Sequence, residues 1–232
     1  MQTKSRLNVE VLLSHVPLFN GLAIGEITRI AASTSEIHAA KGDILFYKGD
    51  PCRGFYLLVY GQVKLAFTSP QGSEKVVEIV RAGQSFGEAL MFMDKPYIVF
   101  AQALSDTLLL HVSKTAIDDE LERDHRLGRK MLAGMSMRLH QLMGDVEAYS
   151  LHSGKQRIIG YLLQELPDRD VDGSNVAIQL SVSKGVIASR LNLTQEHFSR
   201  ILHELADLGL IVVEGRKIVI PDVARLRRHD LA

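Results

Sequence analysis

The chain has 232 residues, a formal charge of zero and one cysteine, Cys52. A length above the usual range of about 100 to 200 residues per domain predicts two domains. Charge balance is uninformative about nucleic acid, since a basic face is easily offset elsewhere, but a single thiol excludes an intrachain disulfide framework and a cysteine-ligated iron-sulfur cluster.

No run of about 18 apolar residues occurs, and the opening MQTKSRLNVE lacks the apolar core of a secretory leader. The expectation is a cytoplasmic protein with no membrane partner. Two apolar-periodic pieces, Val9-Leu12-Leu13-Val16 and Leu22-Ile24-Ile27-Ile30, separated by Pro17 and Gly21, predict two short helices. From Glu36 to Val112 the rhythm changes to short β-rich runs, ILFY, FYLLVY, VKLAF, KVVEIV and TLLLHV. Turn signals at Lys41-Gly42-Asp43, Gly49-Asp50-Pro51, Pro70-Gln71-Gly72 and Ala82-Gly83 divide them. Many short strands with no long helix between them predict a jelly-roll β-barrel.

The third region is helical. Leu132, Met135, Leu139, Leu142, Val146 and Tyr149 recur in alternating steps of three and four, which makes one stripe on a helix placed at about residues 115–150. Such a stripe packs either on the barrel or on a second copy of itself across a two-fold axis. Its length over four turns favours the second, a homodimer. An apolar helical pattern from Gln156 to Leu166 and a polar stretch from Pro167 to Asn175 follow. The expected fold class is α+β. Residues 1–150 would form a sensor β-barrel with N-terminal helices and a dimerisation helix, and residues 151–232 a winged helix-turn-helix domain.

The sharpest local signal runs from Val182 to Ile220: a short helix (Lys184 to Leu191), a turn at Asn192-Leu193, a second helix (Thr194 to Leu208) and a two-stranded ribbon turning at Gly215. Ala188 is small where two crossed helices approach, Asn192 tolerates a left-handed backbone, and Thr194 can cap the second helix. Phe198, Ile201, Leu202 and Leu205 fall on one face for burial. That leaves Glu196, Ser199 and Arg200 together on the outward face, near the helix N-terminus. An arginine there can hold guanine O6 and N7, a glutamate can accept from a cytosine or adenine amino group, and a serine can contact either partner. Gln195, Arg216 and Lys217 are candidates for phosphate contacts. An exposed polar helix face is the competing interpretation, and the scaffold around the triplet argues against it.

With these residues in place, the chain resembles the Crp/Fnr superfamily of bacterial transcription regulators over essentially its full length. The likeness covers domain order, barrel glycine spacing, long central helix and helix-turn-helix. Glu196-His197-Phe198-Ser199-Arg200 matches the E-x-x-S-R pattern of the Fnr branch, whereas catabolite-activator-like members carry glycine at the position of Ser199. The resemblance implies an inverted repeat similar to TTGAT-N4-ATCAA, with Arg200 at the guanine, Glu196 on the opposite strand and Ser199 near a thymine. It also implies RNA polymerase as a partner. Asn192 departs from the glycine usual there.

In cyclic-nucleotide binders of this superfamily the phosphate pocket reads G-E and then, about ten residues later, R-S or R-T. Gly87-Glu88 is present here, but Ile98 and Val99 stand where the arginine and its neighbour would be. A buried phosphate without a counter-charge costs several kcal/mol, which argues against cyclic AMP. Glu88 is better explained as the acidic first turn of a short helix than as a ribose contact. The Fnr oxygen sensor needs four cysteines and is excluded.

The run FGEALMFMDKPYIVFAQA resembles the Dnr/NnrR group, nitric-oxide-responsive regulators of denitrification thought to use haem. The resemblance implies haem b. An apolar slot lined by Leu90, Met91, Phe92, Met93, Ile98, Val99 and Phe100 has the character to accept a flat macrocycle, with His15 and His140 as the candidate iron ligands and methionine ligation as an alternative; ordinary barrel core is the alternative for each lining residue. A regulator with no effector, controlled by its own abundance, shares everything but the pocket. A cupin-like metal enzyme would need clustered histidines and a carboxylate, and the barrel region offers only His38 and His111.

Overall fold

The computed structural model describes residues 8–14, 19, 22–166 and 174–230. The chain divides into two compact units, residues 1–140 and 141–232. In the first, helices α1 (Val9–Ser14) and α2 (Ile24–Ala32) precede eight strands: β1 (Thr34–Ala39), β2 (Ile44–Phe46), β3 (Gly54–Tyr60), β4 (Gln62–Thr68), β5 (Glu74–Arg81), β6 (Ser85–Phe86), β7 (Phe100–Ala103) and β8 (Thr107–Ser113). A short helix α3 (Glu88–Phe92) interrupts them. The strands form two four-stranded antiparallel sheets, in the orders β1-β8-β3-β6 and β2-β7-β4-β5, which is a double-sheet jelly roll.

The run FYLLVY is apolar at consecutive positions because β3 is covered on both faces. Phe55 and Leu57 join Leu13, Ile27, Ile30, Met91 and Ile117 in a core beneath the helices. Tyr56 and Leu58, one residue out of phase, point between the sheets with Phe46, Val63, Val80, Phe86 and Tyr97. Aromatic rings fill that interior: Phe46 stacks on Tyr97 at 3.6 Å and Tyr56 on Phe86 at 5.1 Å between centroids. Complete burial of each such side chain favours folding by about 1.5–3 kcal/mol.

The helix expected at about residues 115–150 is two helices, α4 (Lys114–Arg123) and α5 (His125–Leu151). Asp124 breaks the run. Its backbone is extended and its carboxylate accepts from the Arg126 N–H at 2.8 Å, so it caps the second helix where a continuous one would have left it idle. Asp94, Asn175 and Asn192 are the non-glycine residues with positive φ among those described.

The second unit takes in the last turns of α5, then α6 (Gly154–Gln164), β9 (Ser174–Gln179), α7 (Lys184–Arg190), α8 (Gln195–Asp207), β10 (Val212–Glu214), β11 (Lys217–Asp222) and α9 (Val223–Asp230). Ser153 opens α6 in a capping box with Gln156. The three-stranded sheet has the order β10-β11-β9. Strand β9 was not legible in the sequence: it starts at Ser174 and Asn175, inside the expected polar stretch, and the remainder of that stretch lies outside the described residues.

Candidate nucleic-acid interface

Helices α7 and α8 are set by their caps. Ser183 accepts from the Val186 N–H at 3.4 Å, and Thr194 from the His197 N–H at 3.2 Å. Between them Asn192 takes the left-handed backbone at φ 58, and the Leu193 N–H closes onto the Ala188 carbonyl at 2.8 Å. Ala188 is buried at the crossing, and Phe198, Ile201, Leu202 and Leu205 are buried beneath α8. A turn read as left-handed, a small residue at the crossing and a threonine cap all stand as the sequence placed them.

On the opposite face Glu196 and Arg200 are exposed and Ser199 is half-buried. Their side chains have no hydrogen bond or ion pair with any described residue. Two exposed charged groups and a half-buried hydroxyl near the positive end of a helix dipole thus keep their bonding capacity unspent. Gln195 is exposed beside them, its amide lying over Gly185 of α7: a Cβ there would meet Oε1 at 2.8 Å. At the β10–β11 turn, where Gly215 has φ 66, Arg216 donates Nε to the Leu180 carbonyl at 3.1 Å and Lys217 pairs with Glu214 at 3.0 Å. Both basic residues are therefore held by the protein while their remaining N–H groups stay available.

One cluster beside this face was not foreseen. Arg190, the last residue of α7, is held by Asp145 and Tyr149 of α5, and Arg157 of α6 donates to the Leu191 carbonyl at 2.7 Å. Tyr149, expected on the dimer stripe, also lends its hydroxyl to this cluster, and burial pushes that hydroxyl above the usual range. Of the other stripe residues Leu132, Leu139, Leu142 and Val146 are exposed and Met135 is half-buried. A row of exposed leucine and valine is an unusual surface for a single chain and fits a partner helix.

The sensor residues are dispersed. Met91 is fully buried under the helices, Leu90 and Val99 are half-buried against the interior of the roll, and Phe92, Met93 and Ile98 are exposed. Phe100 is buried, with the Lys64 ammonium 5.2 Å from its ring centroid. Ile98, Val99 and Phe100 do share a cavity of about 320 Å³, but with Lys48, Phe67 and Glu74, not with the Leu90–Met93 segment. The expected slot is therefore not one surface: α3 turns its residues in several directions, and stacked rings occupy the interior. His140 is exposed, and His15 lies outside the described residues.

Glu88 does open α3, after Gly87 at φ 103, and burial pushes its carboxyl above the usual range. Arg138 of α5 pairs with Glu78 of β5. His38 is exposed on β1, while His111 is half-buried on β8 with its imidazole pushed down by burial. Among the described residues no group of three or more histidine, cysteine or acidic side chains is arranged to hold a metal. None of the described helices is long and apolar enough to cross a membrane.

Comparison with known proteins agrees with this architecture. The cyclic nucleotide-binding domain family matches residues 36–124 and the Crp-like helix-turn-helix domain family residues 156–229. The crystal structure of DNR from Pseudomonas aeruginosa is 34% identical, over 98% of this chain and 99% of that one, with a TM-score of 0.52. The chain belongs to the Crp/Fnr family of transcription regulators. Such regulators bind DNA through the helix-turn-helix and act as dimers. Among other Crp/Fnr relatives, the cyclic AMP receptor protein of Thermus thermophilus is 25% identical over 90% of this chain and 94% of its own. FixK2 of Bradyrhizobium japonicum shares the fold, with a TM-score of 0.75 at 22% identity over 86% of this chain and 98% of that one. The full-length matches are to regulators and not to enzymes.

Proposed function

We propose that this Crp/Fnr regulator binds, as a homodimer, an inverted repeat of the form TTGAT-N4-ATCAA, with Arg200 on the guanine, Glu196 on the complementary strand and Ser199 near a thymine. The observation that carries this reading is the unspent bonding capacity of these three side chains on the exposed face of α8. Glu204, farther along the same helix, is by contrast engaged by Lys155 of α6. Gln195, Arg216 and Lys217 hold phosphates and set the register of the helix in the major groove. By resemblance, the bound dimer then works through RNA polymerase in the cytoplasm.

Titration of labelled duplexes tests it. The repeat should bind far more tightly than scrambled DNA, and changing the guanine should cost wild type more than it costs Arg200→Ala. Uniform weakening by Arg200→Ala on all sequences would make it a phosphate contact.

The effector in this reading is not a cyclic nucleotide. The exposed Ile98 supplies no charge for a phosphate where cyclic-nucleotide binders carry arginine. Nitric oxide is the signal that the Dnr/NnrR resemblance brings, and full-length identity of 34% to DNR supports it. The described residues do not fit haem in the slot drawn from the sequence, because its lining is divided between two cores and the surface. Adding hemin to purified protein decides the point: a sharp Soret band that shifts with nitric oxide supports haem-based sensing, and its absence favours a regulator without that effector.

A further inference from the structure

Only His152 and Ser153 separate α5 from α6, so the chain itself fixes how far the reading head lies from the central helix but leaves its rotation to other contacts. Arg190 supplies them. Its Nη2 donates to Asp145 Oδ2 at 2.6 Å, its Nη1 donates to the Tyr149 hydroxyl, and that hydroxyl donates to the Arg190 carbonyl at 2.5 Å. Asp145 and Tyr149 stand one turn apart on α5, so the guanidinium is held at two points along the helix axis, which resists rotation as one point would not. The Arg157 guanidinium backs this arrangement, 6.0 Å from the Tyr149 ring centroid while capping the α7 carbonyl end. All four residues are half-buried, which strengthens charge-assisted bonds that open water would weaken. Asp145 is also the immediate neighbour of Val146, the last exposed residue of the dimer stripe.

We propose that Arg190 is a positioning residue that determines spacer specificity: with Asp145 and Tyr149 it locks the angle between reading head and central helix, and so sets the separation of half-sites that a dimer accepts. The proposal rests on the inverted-repeat reading above. One base pair of added spacer both lengthens and rotates the second half-site, so a locked head accepts one spacing and a loosened head accepts several.

The test is competition binding of the full-length protein to duplexes with spacers of three, four and five base pairs, each also with the half-site guanine replaced. Wild type should prefer one spacer by about tenfold or more. Arg190→Met and Tyr149→Phe should compress that preference to about threefold or less while keeping the wild-type preference for guanine, and Arg190→Lys should lie between. Tyr149→Phe keeps the ring packing and serves if Arg190→Met does not fold. Unchanged spacer preference in both variants overturns the lock alone, as does an equal loss of affinity for every spacer, which would mark Arg190 as merely structural. Wild type indifferent to the repeat overturns the base reading and this inference with it.

Discussion

In the barrel unit several buried or half-buried charges are paired with one another. Glu120, buried between helices, takes two hydrogen bonds from Arg29, at 2.5 and 2.8 Å, and one from Arg123 at 2.9 Å. Lys64, also buried, is paired with Glu74, and Arg138 with Glu78. In the reading unit the second helix of the motif keeps Glu196, Ser199 and Arg200 unengaged while everything behind them is fixed by caps and apolar packing. A surface that leaves charge unpaired on a rigid support is built for an external partner. Paired charges such as those of Glu120 and Lys64 hold a shape, and this explains why DNA recognition is easier to locate in this chain than its signal.

The comparison is broken most severely by removing the rigid support. Phe198→Ala empties a fully buried site under α8 and should cost about 3–5 kcal/mol, measured by denaturant unfolding, with operator binding lost in parallel. Arg200→Ala leaves the support intact: stability should not change, while discrimination at the guanine falls by about 1–3 kcal/mol in binding titrations. A smaller effect is expected at the turn. Asn192→Val forces a β-branched residue into φ 58 and should destabilise by about 1–2 kcal/mol, where Asn192→Gly should be tolerated.

The smallest effect sharpens the barrel side. The Arg29 hydrogen bonds, and less strongly Arg123, hold the Glu120 carboxyl below its usual value against the opposing effect of burial. A lowered native value means stability that is present above the ordinary carboxylate pKa of about 4.3 and is lost as pH falls through the lowered one. Glu120→Gln should therefore lower the melting temperature at pH 7, and the gap from wild type should close below about pH 4.

Local rules carried some of this molecule completely. The left-handed Asn192, the Thr194 cap, the buried face of α8 and its polar complement follow from backbone sterics and helix periodicity, both set by residues within a few positions of each other. The alternation of strands and turns likewise pointed to the jelly roll, although β1, β6 and β7 lay outside the β-rich runs that the sequence singled out. The strongest sequence expectation to dissolve was the apolar slot. Leu90 to Phe100 read as one lining because apolar residues crowd together there, but α3 and the turn after it send neighbouring side chains into different cores and out to solvent.

The same distinction holds for Tyr149. By period alone it continues the stripe of Leu142 and Val146, and only the fold brings Arg190, distant in sequence, against it. Sequence by itself determined the family of shapes, the reading motif and the three side chains it presents, because each depends on local geometry. Which polar groups pair, whether an apolar run encloses space, and how the reading head is fastened to its helix were decided by tertiary structure, because each depends on contacts between segments that no period or spacing connects.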